Sequence, residues 1–97
     1  MYKHIDISFP KNLLQRIILK YMKASNYAGY ASFWKTAYYR NSYYLSNPKV
    51  VKHETKHLED IDRDGIIKYA IMYSYYQIKY GRHDNPYEVA ARKAEDA

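Results

Sequence analysis

The residues best placed to do chemistry are His53-Glu54-Thr55-Lys56-His57, a complete H-E-x-x-H. On a helix, positions four apart lie one turn apart on the same face, so His53 and His57 can offer imidazole nitrogens to one metal ion. Glu54 follows the first histidine and can point toward that ion without ligating it. Zinc-assisted hydrolysis needs this set: two neutral nitrogen ligands, an open position for water, and a carboxylate to take a proton. Only three of the five positions are fixed, so the pattern also arises by accident, and its helical context has to support it.

A zinc site needs a third protein ligand, and the chain has no cysteine. The candidates are Glu88, His83, Asp84, His4, Asp60, Asp62 and Asp64. Asp60 lies three residues beyond His57, but so short a side chain on the same helix rarely completes a tetrahedron with both histidines. Glu88 falls on a separate helix, after a linking segment long enough for the chain to reverse. Asn85-x-x-Glu88 is equally a capping-box pattern, with the glutamate bonding back to its own helix start. From spacing, both roles stand. Attack on an amide would also require a donor to the developing oxyanion. Tyr87, His83 and Tyr73 or Tyr76 are the candidates.

These residues need elements to position them. Asn47 as N-cap and Pro48 in the first turn start the helix that carries the motif; Val50, Val51, Leu58 and Ile61 form its apolar side and Gly65 ends it. Ile66 to Tyr80 reads as a third helix, apolar nearly all round and therefore expected to be buried on several sides, with Gly81 ending it. Asn85-Pro86 opens a last helix. Upstream, residues 1–9 read as a short strand or extended arm. A basic amphipathic helix is expected at 10–23, with Leu13, Leu14, Ile17, Ile18 and Tyr21 at helical spacing and Pro10 at its start. It suits packing over a small sheet, or a membrane-surface or partner contact. Phe33, Trp34, Tyr38, Tyr39, Tyr43 and Tyr44 favour strands near 31–39 and 43–46, turned at Asn41-Ser42, in an antiparallel hairpin or three-stranded sheet. The class is mostly helical α+β: about four helices, with the sheet ahead of the H-E-x-x-H helix, in one domain over 1–97.

Composition sets outer limits. Without cysteine, disulfides and thiolate zinc sites are excluded. The N-terminus lacks the apolar run of a signal peptide, and no apolar stretch is long enough to span a bilayer. The expected location is cytoplasmic or within a larger assembly. Residues 1–52 carry nine Lys/Arg against one acid, Asp6, whereas 53–97 carry seven against nine. The basic half suggests an anionic partner: nucleic acid, a membrane surface or an acidic protein. Fourteen tyrosines are the other excess, expected mainly in core and rim packing, and otherwise at a protein interface or stacked on bases.

Taken together, His53-Glu54-x-x-His57, the strand-like Tyr43-Tyr44-Leu45-Ser46 before it, and the later Asn85-Pro86-Tyr87-Glu88-Val89-Ala90-Ala91 resemble the minimal gluzincin-type zincin domain. Small zincin-like metallopeptidase proteins of bacteria and bacteriophages have this pattern. The resemblance covers about residues 40–95. It implies one zinc ion held by His53, His57 and Glu88, with Glu54 as general base in hydrolysis of a peptide or protein substrate. Asp60 stands where relatives often have Gln. Arg92 stands where many gluzincins have an Asp that supports a histidine ligand, a role left to Asp60, Asp62 or Asp84. The alternatives are a zincin-fold structural or assembly module, for example in a phage particle among neighbouring structural proteins, and a basic nucleic-acid-binding protein with an accidental motif.

Overall fold

The computed structural model describes residues 2–97. Its elements, in order, are β1 (Lys3–Asp6), α1 (Leu13–Ser25), β2 (Gly29–Ala31), β3 (Thr36–Tyr39), α2 (Ser42–Leu45), α3 (Pro48–Asp64), α4 (Ile66–Asp84) and α5 (Pro86–Ala94). The expected mostly helical α+β class is what the chain adopts. The helices number five because a single turn, α2, is added to the four anticipated.

β3 is the central strand. It pairs with β2 antiparallel, from Gly29 opposite Tyr39 to Ala31 opposite Ala37, and with β1 in parallel, from Lys3 opposite Thr36 to Asp6 opposite Tyr39. The sheet is therefore mixed, not antiparallel: β1 reaches β3 only after a crossover through α1, the long connection that parallel pairing demands. Alternation along β3 sends its side chains to two faces. Tyr38 packs with Ile7, Ile18, Leu19 and Met22 under α1, while Ala37 and Tyr39 pack with Leu58 of α3 on the other side.

Two expected boundaries differ. Residues 43–45 are helical and Ser46 is a turn, rather than extended, because the Asn41 side chain accepts the Tyr44 backbone N–H at 3.2 Å and caps a turn of helix where a hairpin turn was expected. The real hairpin is β2–β3, turned through Ser32–Lys35, with Lys35 at φ 61°. α1 starts at Leu13 rather than 10, because Asn12 caps it by accepting from the Gln15 N–H at 2.9 Å and leaves Pro10 outside. α3 begins and ends as its sequence indicates, at the Asn47 cap and at Gly65, whose φ of 84° a side chain would resist.

α4 departs from expectation in burial. Its backbone breaks at Gly81 (φ 80°), as anticipated, and resumes for a turn. But Tyr69 is its one buried residue, and Ile67, Ile71 and Ile78 stand in solvent. Its inner edge packs Tyr69, Met72, Tyr73 and Tyr76 with Ile61 and Tyr87, a third core cluster that ties α3, α4 and α5 together.

Candidate metal centre

α3 and α5 lie side by side, and their contact carries the polar residues of interest. Val50, Val51, Leu58 and Ile61 anchor α3 to the apolar clusters, which rolls His53, Glu54 and His57 toward a cleft. The cleft has a volume of about 730 Å³ and lies among α3, α4, α5 and the β2 edge of the sheet. At the start of α5, Asn85 is fully buried; its amide oxygen accepts the Tyr87 N–H at 3.0 Å and its NH2 donates to the Tyr73 carbonyl at 3.2 Å. That cap does not use Glu88. The Asn85 N–H is taken by the Gly81 carbonyl, so the capping-box role is vacated and the Glu88 carboxylate is free to face α3.

It does so symmetrically. Glu88 Oε1 lies 3.1 Å from His53 Nε2 and 3.2 Å from His57 Nε2, and Tyr73 donates its hydroxyl to Glu88 Oε2. One donor atom from each of His53, His57 and Glu88 falls within 4.8 Å of the others. A tetrahedral zinc ion with bonds of about 2.0–2.1 Å separates its donors by about 3.3 Å, which the two nitrogen–oxygen separations match. The donor set fits too: two borderline nitrogens and one carboxylate, with the cleft on the fourth side.

Support comes from behind each ring. His53 Nδ1 donates to Glu95 Oε2 at 2.7 Å, and His57 Nδ1 lies 3.3 Å from the Tyr69 hydroxyl. Such contacts fix ring orientation and leave Nε2 for an ion. Neither Glu95 nor Tyr69 stands out in the sequence. The available signal for Glu95 is its spacing: seven residues after Glu88 is two turns along the same face, one position past the end of α5. Asp60, Asp62 and Asp84, the acids considered for this role, are engaged elsewhere. Asp60 is buried between Lys56 Nζ at 3.1 Å and Arg63 Nη1 at 3.0 Å, within ion-pair distance although neither makes an aligned hydrogen bond. Asp62 accepts the Tyr2 hydroxyl, and Asp84 pairs with His83.

Charge and burial oppose each other here. Burial works to lower the His53 pKa, but its hydrogen bond to Glu88, the Glu54 charge and the Glu95 contact outweigh it and raise the pKa to about 9. Burial would raise Glu88, and the two imidazoles with Tyr73 instead hold it well below the usual carboxylate range. Glu54 moves the other way: burial raises its pKa and the neighbouring imidazoles only partly offset this. Its carboxylate makes no hydrogen bond among the described residues and opens on the cleft. Glu54 also lies against Gly29 of β2, where an added Cβ would meet Glu54 Cγ at 2.9 Å. Glycine at 29 lets the sheet edge close on this carboxylate.

The four oxyanion candidates separate. Tyr73 lines the cleft beside Glu88, and His83 lines its mouth. Tyr87 does not: its hydroxyl donates to Asp64 Oδ2 at 2.7 Å and its ring packs between Tyr69 and Tyr76. Tyr76 faces Tyr87 and Tyr80 and is likewise outside the cleft. Of the other ligand candidates, His4 bonds the Tyr39 hydroxyl at 2.8 Å, and Asp64 is taken by Tyr87 and Arg63. Among the described residues, only Glu88 joins the histidine pair. No protein-family model, no curated protein and no solved structure matches this chain significantly, so the centre is described by its own geometry alone.

Proposed function

We propose that the protein is a zinc-dependent hydrolase of amide bonds, a small zincin-like metallopeptidase. The observation that supports this best is the convergence of His53 Nε2 and His57 Nε2 on one oxygen of Glu88, at 3.1 and 3.2 Å, beside a second, unpaired carboxylate in the same cleft. An ion bound there would polarise a substrate carbonyl and acidify water. His53, His57 and Glu88 hold the position; Glu95 and Tyr69 orient the two rings.

Glu54 is the proton carrier. Its carboxylate stands unpaired in the same cleft, where it can accept a proton from water and then return it to a leaving amine. Tyr73 lines the cleft beside Glu88 and is the side chain best placed to donate toward an oxyanion, once its one hydroxyl proton turns away from Glu88 Oε2. The open cleft admits an extended segment of chain rather than enclosing a small molecule.

Two measurements test the reading on untagged protein. Metal analysis should give about one zinc per chain, lost in His53→Ala. Hydrolysis of an unstructured protein substrate should then disappear in Glu54→Gln with zinc retained. Zinc without hydrolysis would favour the second reading, a zincin-like assembly module built into a larger particle such as that of a bacteriophage. The observation behind that alternative is the set of isoleucines at 67, 71 and 78, exposed at 77, 62 and 88% on the outer face of α4.

A further inference from the structure

The outward face of α1 carries two kinds of residue. Ile18, Leu19 and Met22 face the sheet, which leaves Leu13, Ile17 and Tyr21 in one exposed row, 71, 58 and 49% accessible. Phe9, in the loop ahead of the helix, is 88% exposed at the same end. Helical spacing puts Arg16, Lys20 and Lys23 in the row alongside, and all three are exposed. None of them is in an ion pair among the described residues. From Ile7 to His53 the chain contains no aspartate or glutamate. The face is thus an apolar row about 12 Å long flanked by a row of free cations.

We propose that this face docks the protein on an anionic lipid surface. Phosphates of a nucleic acid would attract the cations but would leave Phe9, Leu13 and Ile17 in water. A lipid surface satisfies both rows: the acyl boundary takes the aliphatic and aromatic groups, while the lysine and arginine stems let their heads reach the phosphates. Each cation near such a surface strengthens partition about fivefold, and salt screens it. The contact is peripheral, since no helix among the described residues is long and apolar enough to cross a membrane. Tyr21, at the far end of the row, also lines the cleft, so docking would bring the cleft mouth close to the surface. The proposal does not depend on the hydrolase reading.

The test is sedimentation of the full chain with vesicles of phosphatidylcholine alone, or of phosphatidylcholine mixed with phosphatidylserine. Binding is expected only to the mixed vesicles, and it should weaken as salt rises. Because the side chains concerned are exposed, Leu13→Ser with Ile17→Ser should keep the circular dichroism of the native protein while weakening binding about tenfold or more. Arg16→Gln with Lys20→Gln should weaken it about 25-fold at low salt. Failure to bind the mixed vesicles at low salt overturns the proposal, as does binding unaffected by the two serines. Capture of polyglutamate or single-stranded DNA in place of the vesicles also overturns it, in favour of an acidic protein or a nucleic acid respectively.

Discussion

The two histidines of the centre are one turn apart on the same helix and meet the same oxygen, yet they are held differently. His53 is backed by a carboxylate, Glu95, at 2.7 Å, whereas His57 is backed by a neutral hydroxyl, Tyr69, at 3.3 Å. The His57 side chain is also the more buried, 7% exposed against 20% for His53. A carboxylate can only accept, so Glu95 dictates a proton on His53 Nδ1 and strengthens Nε2 as a donor to an ion. A phenol can donate or accept, so Tyr69 tolerates either tautomer of His57. One ring is set electrostatically, the other by packing.

The proposed centre gives this asymmetry measurable consequences. Removing the shared oxygen should abolish the distinction: Glu88→Ala is expected to weaken zinc binding about a thousandfold or more, measured by competition with a chromogenic chelator. Glu95→Ala should weaken it about 10–100-fold, and Tyr69→Phe only a few-fold, because a long bond to a neutral group contributes less than a short one to a carboxylate. Equal losses in the two variants would show that tautomer control plays no part.

Gly29→Ala tests the neighbouring carboxylate instead. The methyl group should displace Glu54 and lower hydrolysis about tenfold with zinc content unchanged.

The smallest effect is one of pH. His53 has its pKa raised to about 9 in the folded, metal-free protein, from an ordinary value of 6.5. Its protonated form therefore stabilises the metal-free fold fully below about 6.5, and that contribution fades as pH rises through about 9. Zinc needs the same nitrogen unprotonated, so its affinity should climb across that window and level off above it. In Glu95→Ala the climb should finish at lower pH, and a zinc titration at several pH values would read the shift directly.

The elements that carry the candidate centre were largely legible because local rules suffice there. Asn47-Pro48 and Gly65 bound α3 through cap chemistry and a positive φ, and Asn85-Pro86 starts α5 in the same way. The sheet was less legible. Tyr43-Tyr44 has the composition of a strand, but the Asn41 cap two residues earlier outweighs that preference. The parallel β1–β3 pairing joins residues more than thirty positions apart, which no local pattern records. Apolar content also misled on α4: its isoleucines read as core, but the available core is already filled by tyrosines of α4 and α5.

By itself, the sequence determined which residues could bind an ion and that two of them share a helical face, because a 3.6-residue repeat is a local property. It left the ligand and cap roles of Glu88 in balance, and only tertiary structure decided between them. The packing of α5 against α3 turns that carboxylate onto the two imidazoles, while Asn85 completes the cap through its own side chain and backbone. Glu95, Tyr69 and Gly29 joined the centre for the same reason. Their parts depend on distances between separate elements, and those distances exist only once the apolar clusters have drawn the helices and the sheet together.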